Sequence, residues 1–177
     1  MATASQSFTP TDLTHLRRTI ALAAEALEAG DSPFGSVLVS GSGAAVLRED
    51  RNRTASLNDA TRHPEFELAR WAAANMDPAD RAAATVYTSG EHCVMCAAAH
   101  ARVGLGPIVY VASTEQLVAW MEEFRMEKGE EEEGKGEGKV VVAPLPIRAV
   151  APNIEVRGPV LELECGIKAL HRRYAGL

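Results

Sequence analysis

The spacing of hydrophobic positions predicts an amphipathic helix near the start of the chain. Thr11 or Asp12 can cap this helix, and we expect it to end near Ala29 because Gly30 follows. Its apolar residues recur at intervals of three and four, which places them on one helical face: Leu13, Leu16, Ile20, Ala23 and Leu27. This first element is therefore predicted to pack one face against a core.

A strand hairpin and a polar stretch are predicted next. Residues 34–39 form an apolar run typical of a strand, and the Gly-Ser-Gly sequence at 41–43 indicates a hairpin. Residues 44–48 then form the partner strand. The polar residues 49–62 are expected to form a long loop between this hairpin and the next helix.

Helical and strand patterns alternate from Pro64 onwards. Proline suits the first turn of a helix because its φ angle is fixed and that turn needs no N–H donor. We expect Thr114 to cap the last helix of this stretch and Gly104 to end the one before it. The predicted elements are helix 64–75, strand 84–88, helix 93–103, strand 107–112 and helix 115–124. Such alternation favours an α/β fold in which helices connect later, parallel strands.

An acidic, glycine-rich stretch over residues 127–139 interrupts this alternation. It contains four consecutive glutamates and cannot bury apolar surface, so we expect a mobile surface insertion, with an acidic docking strip as the alternative. Residues 140–143 and 147–150 are short strand candidates, and the second is favoured as the last core strand. Pro159 begins a closing helix with an apolar stripe: Leu161, Leu163, Ile167, Leu170 and Tyr174.

Composition indicates one ordinary globular domain spanning residues 1–177. The net charge of −6 disfavours nucleic acid as a partner, because it provides no overall attraction to polyphosphate. Three cysteines, two of them in one C-x-x-C, indicate a metal or redox site in a reducing compartment. The sequence begins without a signal-peptide pattern and contains no apolar run of membrane-spanning length, so a cytoplasmic location is expected.

Two short motifs carry the candidate chemistry: His63-Pro64-Glu65 and Cys93-Val94-Met95-Cys96. Cysteines three apart at a helix start lie on one face, and the helix N-terminus favours their thiolate forms. Adding His63 gives a Cys2His ligand set, which is used for catalytic zinc with a fourth position kept for water. The two motifs therefore predict an open Zn²⁺ site.

Glu65 is the predicted catalytic residue beside this metal. A carboxylate near a zinc-activated water can take its proton and return it to a ring nitrogen and to departing ammonia. The expected reaction is hydrolytic deamination of an aminated heterocycle. Two alternatives are a thioredoxin-like redox pair at Cys93 and Cys96, and a structural zinc site closed by a fourth ligand, for which Cys165 is the other available thiol.

Together these motifs resemble the zinc-dependent nucleobase and nucleoside deaminases of the cytidine deaminase-like superfamily, whose pattern is H-x-E followed by C-x-x-C. The resemblance covers roughly residues 13–124. Residues 33–39 are similar to the first strand of the guanine deaminase and tRNA adenosine deaminase branch, and Asn52 matches the branch's substrate-binding asparagine.

The resemblance implies a fold, a cofactor and partners. It implies a three-layer α/β/α sandwich with a five-stranded mixed sheet whose later strands are parallel, a bound Zn²⁺ and a homodimer. It assigns ligand and acid–base roles to His63, Glu65, Cys93 and Cys96. A small guanine-like purine is the favoured substrate, with Asn52 as a contact and Phe34 as either a cavity wall or a core residue.

Alternatives remain open for both the substrate and the motif. Cytosine, cytidine and triazine substrates fit the same chemistry, a tRNA adenosine deaminase would need a cationic RNA track, and a non-catalytic protein would keep zinc only for folding. Pro64 stands where the superfamily usually has a small residue, which suits a helix start. His92 stands where it usually has proline, and is a metal ligand, a substrate contact or a residue outside the ligand set.

Overall fold

A five-stranded mixed sheet lies at the centre of the computed structural model, which describes residues 7–43, 45–129 and 142–177. Its strands are β1 (Gly35–Val39), β2 (Val46–Arg51), β3 (Thr85–Gly90), β4 (Ile108–Ala112) and β5 (Val156–Arg157). Their order across the sheet is β2-β1-β3-β4-β5. β1 is antiparallel to β2 and β3, whereas β3, β4 and β5 run parallel. The predicted mixed sheet with parallel later strands is confirmed.

Helices cover both faces of this sheet. They are α1 (Pro10–Glu28), α2 (Pro64–Asn75), α3 (Pro78–Ala83), α4 (Val94–Val103), α5 (Thr114–Glu127), α6 (Ile147–Val150) and α7 (Leu161–Tyr174). One hydrophobic cluster joins the sheet to α1, α5 and α7, and two others join its opposite face to α2, α4 and α6. The α/β/α sandwich is therefore confirmed.

The first helix begins earlier than predicted. Thr9, rather than Thr11 or Asp12, is its N-cap: the Thr9 side chain accepts a hydrogen bond from the Asp12 N–H, and the Asp12 carboxylate accepts one from the Thr9 N–H. This reciprocal capping box satisfies two amides that the first helical turn leaves without partners. In the same way Ser113, not Thr114, caps α5.

Two elements in the first half of the domain also differ from the prediction. The second strand occupies Val46–Arg51 rather than 44–48, and its pairing with β1 shifts register between Leu38 and Val39. The sequence pattern did not predict α3, a six-residue helix that begins at a proline and has no buried residue. A short exposed helix lacks the apolar periodicity on which such predictions depend.

The C-terminal part contains the largest correction. The prediction that residues 147–150 form the last core strand is wrong: they form α6, and the last strand is β5. Pro144 and Pro146 cannot donate to a strand ladder, and the Ile147 N–H donates to the Glu91 side chain instead. Residues 142–143 are not in a strand, and 140–141 lie outside the described residues.

The predicted acidic insertion begins later than its sequence pattern suggested. Glu127 is the last residue of α5, and its carboxylate is paired with Arg172 of α7. The rest of the predicted insertion, from residue 130 onwards, lies outside the described residues. Among the helices that the structure describes, none is long and apolar enough to cross a membrane.

Candidate metal centre

The predicted ligands His63, Cys93 and Cys96 meet at the starts of two neighbouring helices. His63 is the N-cap of α2, Cys93 is the N-cap of α4, and Cys96 lies in the first turn of α4. His63 Nδ1 lies 3.6 Å from each sulfur, and the two sulfurs are 3.5 Å apart. These three residues, called the Cys2His set below, are close enough to hold one metal ion.

The surroundings make Cys93 the thiolate of the cysteine pair. Hydrogen bonds from the Cys96 thiol, the His63 ring and the Cys96 backbone N–H outweigh burial and lower the pKa of Cys93 to about 4. The same bond to Cys93 and burial raise the pKa of Cys96. For His63, the bond to Cys93 raises the imidazole pKa although burial opposes it. The lowered pKa of Cys93 gives the cluster one thiolate, which is the form in which cysteine binds a metal ion.

Glu65 lies beside this cluster, at the second position of α2. It is 5% exposed, and burial raises its pKa to about 7 although the nearby His63 opposes the shift. The Glu65 Oε2 atom lies 3.8 Å from Cys96 Sγ. A carboxyl group with such a pKa exchanges its proton near neutral pH, as a general acid–base group must.

A short hydrogen-bond relay orients the Glu65 carboxyl. Thr88 Oγ1, from the buried part of β3, donates to Glu65 Oε1 at 3.2 Å, and Ser36 Oγ of β1 donates to Thr88 Oγ1 at 2.9 Å. All three residues are buried. Two central strands therefore fix one carboxyl oxygen and leave the other on the side of the Cys2His set.

A cavity of about 230 Å³ opens in front of His63, Glu65 and Cys93. Its other walls come from the loop before β1, the end of β3, the start of α5 and the segment that leads to α6: Phe34, Glu91, Thr114, Leu117, Val118, Val142, Ala143, Pro144 and Leu145. We call this space the site cavity. Three larger depressions, of about 600, 740 and 720 Å³, contain no residue of the Cys2His set.

The structure separates the two predicted substrate contacts. Phe34 lines the site cavity, with its ring against Gly90 and 5.0 Å from the His171 ring. Asn52 is buried but does not line the cavity, and its Oδ1 accepts hydrogen bonds from the backbone N–H and the hydroxyl of Thr54. In this arrangement the Asn52 oxygen stabilises the loop that follows β2.

His92 does not join the metal cluster. It is fully buried, its ring lies 5.3 Å from that of His100, and neither of its nitrogens has a hydrogen-bond partner among the described residues. Burial lowers its pKa well below the usual value. His100 Nε2 bonds to the Gly106 carbonyl. Neither His92 nor Trp120, which packs in the core, lines the site cavity.

Sequence reasoning missed several cavity residues, above all Glu91. The signal for Glu91 was its place at the carboxyl end of a predicted parallel strand, where α/β sheets bind ligands. The remaining wall residues come from α5 and residues 142–145, which carry no motif, and all of them except Thr114 are apolar. Their contribution depends on folding and has no local sequence signature.

Comparison with known proteins identifies one family, and two curated relatives are deaminases too. The model of the MafB19-like deaminases matches residues 11–142, most of the chain. The chloroplastic tRNA(adenine(34)) deaminase of Arabidopsis thaliana is 28% identical over 150 residues, which are 85% of this chain and 11% of that protein. The guanine deaminase of Bacillus subtilis (strain 168) is 36% identical over 84 residues, 47% of this chain and 53% of that protein.

The chain therefore spans about half of the length of the guanine deaminase and a much smaller part of the tRNA(adenine(34)) deaminase. Among solved structures, guanine deaminase from Nitrosomonas europaea has a TM-score of 0.66 and 20% identity to this chain. The match covers 97% of this chain and 87% of the other. At that identity the likeness shows the shared fold.

Proposed function

The chain belongs to the MafB19-like deaminase family, and from this membership we propose that it is a zinc-dependent enzyme that hydrolytically deaminates a small aminated heterocycle. A free purine base of the guanine type is the favoured substrate. The observation that carries the proposal is the buried Glu65 carboxyl, held beside the Cys2His set and facing a cavity. A structural metal site has no use for a buried carboxyl that is not a ligand.

The donor atoms of the Cys2His set fit zinc. Tetrahedral zinc with bonds of about 2.3 Å to sulfur and about 2.0 Å to nitrogen requires donor separations of about 3.5–3.8 Å. The separations of 3.5 and 3.6 Å between Cys93, Cys96 and His63 agree with this requirement. Within the described residues, no further His, Cys, Asp or Glu joins the set, and Cys165 lies exposed on α7. Three protein ligands are typical of catalytic rather than structural zinc.

Glu65 performs the proton transfers in the proposed mechanism. When bound, zinc supplies the nucleophile by lowering the pKa of a water towards neutrality. Overall, water replaces the amino group on the ring carbon, and ammonia leaves. Glu65 accepts a proton from the attacking water and passes it to the adjacent ring nitrogen. It then assists protonation of the departing amine. Thr88 keeps one carboxyl oxygen fixed, so the proton moves through the other.

The size and lining of the site cavity support a small planar substrate. Its volume of about 230 Å³ is below the range of about 300–1,000 Å³ that is usual for drug-sized ligands. Phe34 offers an aromatic wall, and Leu117 and Val118 offer apolar surface. Similarity to the Bacillus subtilis guanine deaminase favours guanine within this class.

The test is ammonia release from a panel of purines, pyrimidines, nucleosides and triazines. We expect release from guanine by the wild type, and a loss of about 10²–10⁴-fold for Glu65→Gln, which cannot transfer a proton. Glu67→Gln is the matched control: Glu67 lies on the same helix, and its carboxylate pairs with Arg62 and Arg70. We expect it to keep activity.

Metal content separates the outcomes of this test. Glu65→Gln should retain one zinc per chain, because Glu65 is not in the Cys2His set. A fully zinc-loaded wild type that deaminates nothing in the panel would favour the alternative of a non-catalytic zinc protein. Equal rates in the wild type and Glu65→Gln would contradict the role proposed for Glu65.

A tRNA adenosine deaminase is the second candidate, favoured by the similarity to the Arabidopsis thaliana enzyme over 85% of this chain. Among the described residues, however, no lysine or arginine lines the site cavity, whereas an RNA track requires clustered cations. An anticodon-arm RNA in the same panel decides between the two candidates. The expectations of a homodimer and of a cytoplasmic location remain predictions.

A further inference from the structure

Glu91 occupies a position between three parts of the chain. It follows β3 directly, two residues before Cys93, and its side chain reaches both the start of α5 and the start of α6. It also lines the site cavity. A carboxylate at such a junction joins segments that are far apart in sequence.

Both oxygens of the Glu91 carboxylate accept backbone hydrogen bonds. Oε2 accepts the Thr114 N–H at 2.9 Å, and Oε1 accepts the Ile147 N–H at 2.9 Å. Thr114 is the first residue of α5, where the helix dipole favours a negative charge. Hydrogen bonds to a charged group are stronger than neutral ones, so this carboxylate holds the two segments together.

The segment that leads to Ile147 forms one wall of the site cavity. Residues 142–145, called the wall segment below, supply four of the residues that line the cavity. The wall segment belongs to no helix or strand. Its C-terminal side is anchored by Ile147, whose side chain is fully buried and whose N–H bonds to Glu91. The position of this wall therefore depends on the Glu91 carboxylate.

We propose that Glu91 is a positioning residue that fixes the wall segment and thereby restricts the site to free bases, excluding their ribosides. The proposal rests on the proposed deaminase function for its choice of ligands. With the wall fixed, the cavity of about 230 Å³ accommodates a heterocycle. A riboside adds a sugar of similar size, which a cavity of this volume would not enclose together with the base.

The proposal is tested with Glu91→Gln, which keeps the side-chain length and removes the charge. One of the two oxygens becomes an NH2 group, which cannot accept the N–H of Thr114 or Ile147. Glu115→Gln is the matched control, because Glu115 is exposed at the start of α5 and its carboxylate bonds to no described residue. Hydrogen exchange by mass spectrometry should show faster exchange in peptides containing Thr114 or Ile147 for Glu91→Gln only.

Binding and kinetics measure the effect on specificity. For the zinc-loaded protein, we expect Glu91→Gln to lower the binding preference for 2,6-diaminopurine over its riboside by about tenfold, the scale of one lost pocket contact. With guanine as substrate, KM should rise while kcat changes much less, because Glu91 performs no chemical step. Zinc content should remain that of the wild type. Unchanged exchange at Thr114 and Ile147, or an unchanged base-to-riboside preference, would overturn the proposal.

A second variant covers the case in which Glu91→Gln does not fold. Pro146→Gly loosens the chain between the wall segment and Ile147 without touching the carboxylate, and the same loss of base preference is expected. The binding measurement does not need turnover. A wild type that releases no ammonia would therefore refute the deaminase function, while the binding preference for the base over its riboside would still decide the role of Glu91. If Pro146→Gly also leaves the preference unchanged, the wall segment does not set specificity.

Discussion

Two cysteines of this chain differ in what their removal should change. Cys93→Ala removes a thiolate from the Cys2His set, so we expect zinc to fall from one per chain to a small fraction, measured by metal analysis after dialysis. The melting temperature should fall too, because the ion would tie the start of α2 to the start of α4. Cys165→Ala, on the exposed surface of α7, is the control and should change neither quantity.

Full zinc occupancy in Cys93→Ala would mean that another ligand set holds the metal. An equal loss of zinc in Cys165→Ala would instead indicate a closed, structural site that includes Cys165. The pair of variants therefore separates the open site proposed above from the structural alternative.

At the residue scale, local spacing carried most of what the sequence revealed about the site. His63 and Glu65 flank one proline, and Cys93 and Cys96 share one helical turn, so their proximity follows from backbone geometry alone. Glu91 could not be assigned in this way. Its partners lie 23 and 56 residues further along the chain, and only the folded sheet brings them to its carboxylate.

At the element scale, Gly35 determines how closely α1 approaches β1. A Cβ atom at Gly35 would overlap the Leu22 side chain and the Thr19 carbonyl oxygen, both in α1. Backbone atoms cannot yield as side-chain tips do, so we expect Gly35→Ala to lower the free energy of unfolding by about 1–3 kcal/mol or more. Urea denaturation monitored by circular dichroism measures the change.

Gly166 in α7 provides the matched control for this substitution. A Cβ atom there meets only the Ile20 side chain, at 3.9 Å, which is an ordinary contact. Because alanine is a better helix former than glycine, Gly166→Ala should stabilise the protein by about 0.5–1 kcal/mol. Similar effects of the two substitutions would show that close packing at Gly35 does not control the approach of α1.

Elements with strong periodicity were predictable, whereas short elements fixed by tertiary contacts were not. The bounds of α2 match the predicted helix, since Pro64 marks its start and its apolar residues follow helical spacing. β5 has only two residues and is held by pairing with β4 and by a double hydrogen bond from Arg157 to Asp12 of α1. Neither contact leaves a local pattern, so the stronger apolar run at 147–150 was mistaken for the strand.

At the scale of the whole molecule, the site lies where the layers of the sandwich meet. α2 and α4, on one face of the sheet, supply Glu65 and the Cys2His set, while α5, on the other face, supplies Leu117 and Val118. The end of β3 connects the two faces through Glu91. The alternation of strands and helices predicted this architecture, but only the folded chain shows which residues close the cavity.

Buried neutral histidines should make the stability of the whole domain depend on pH. Burial lowers the pKa of His100 and of His171 to about 4, against about 6.5 in an unfolded chain. Between these values the unfolded state binds more protons, so the stabilising contribution is complete above pH 6.5 and is lost as the pH falls towards 4. From pH 7.5 to 5.0 each histidine should remove about 2 kcal/mol from the free energy of unfolding.

The variant His171→Phe isolates one of these contributions, because it keeps an aromatic ring beside Phe34 and Trp120 and removes the titrating group. Glu65, whose pKa is raised, acts with the opposite sign, but it is present in both proteins and cancels in the comparison. Urea denaturation at pH 7.5 and 5.0 should therefore show a loss of stability that is smaller in His171→Phe by about 2 kcal/mol. An equal loss in both proteins would mean that His171 is already protonated in the folded domain at pH 5.0, contrary to its burial between α7 and the sheet.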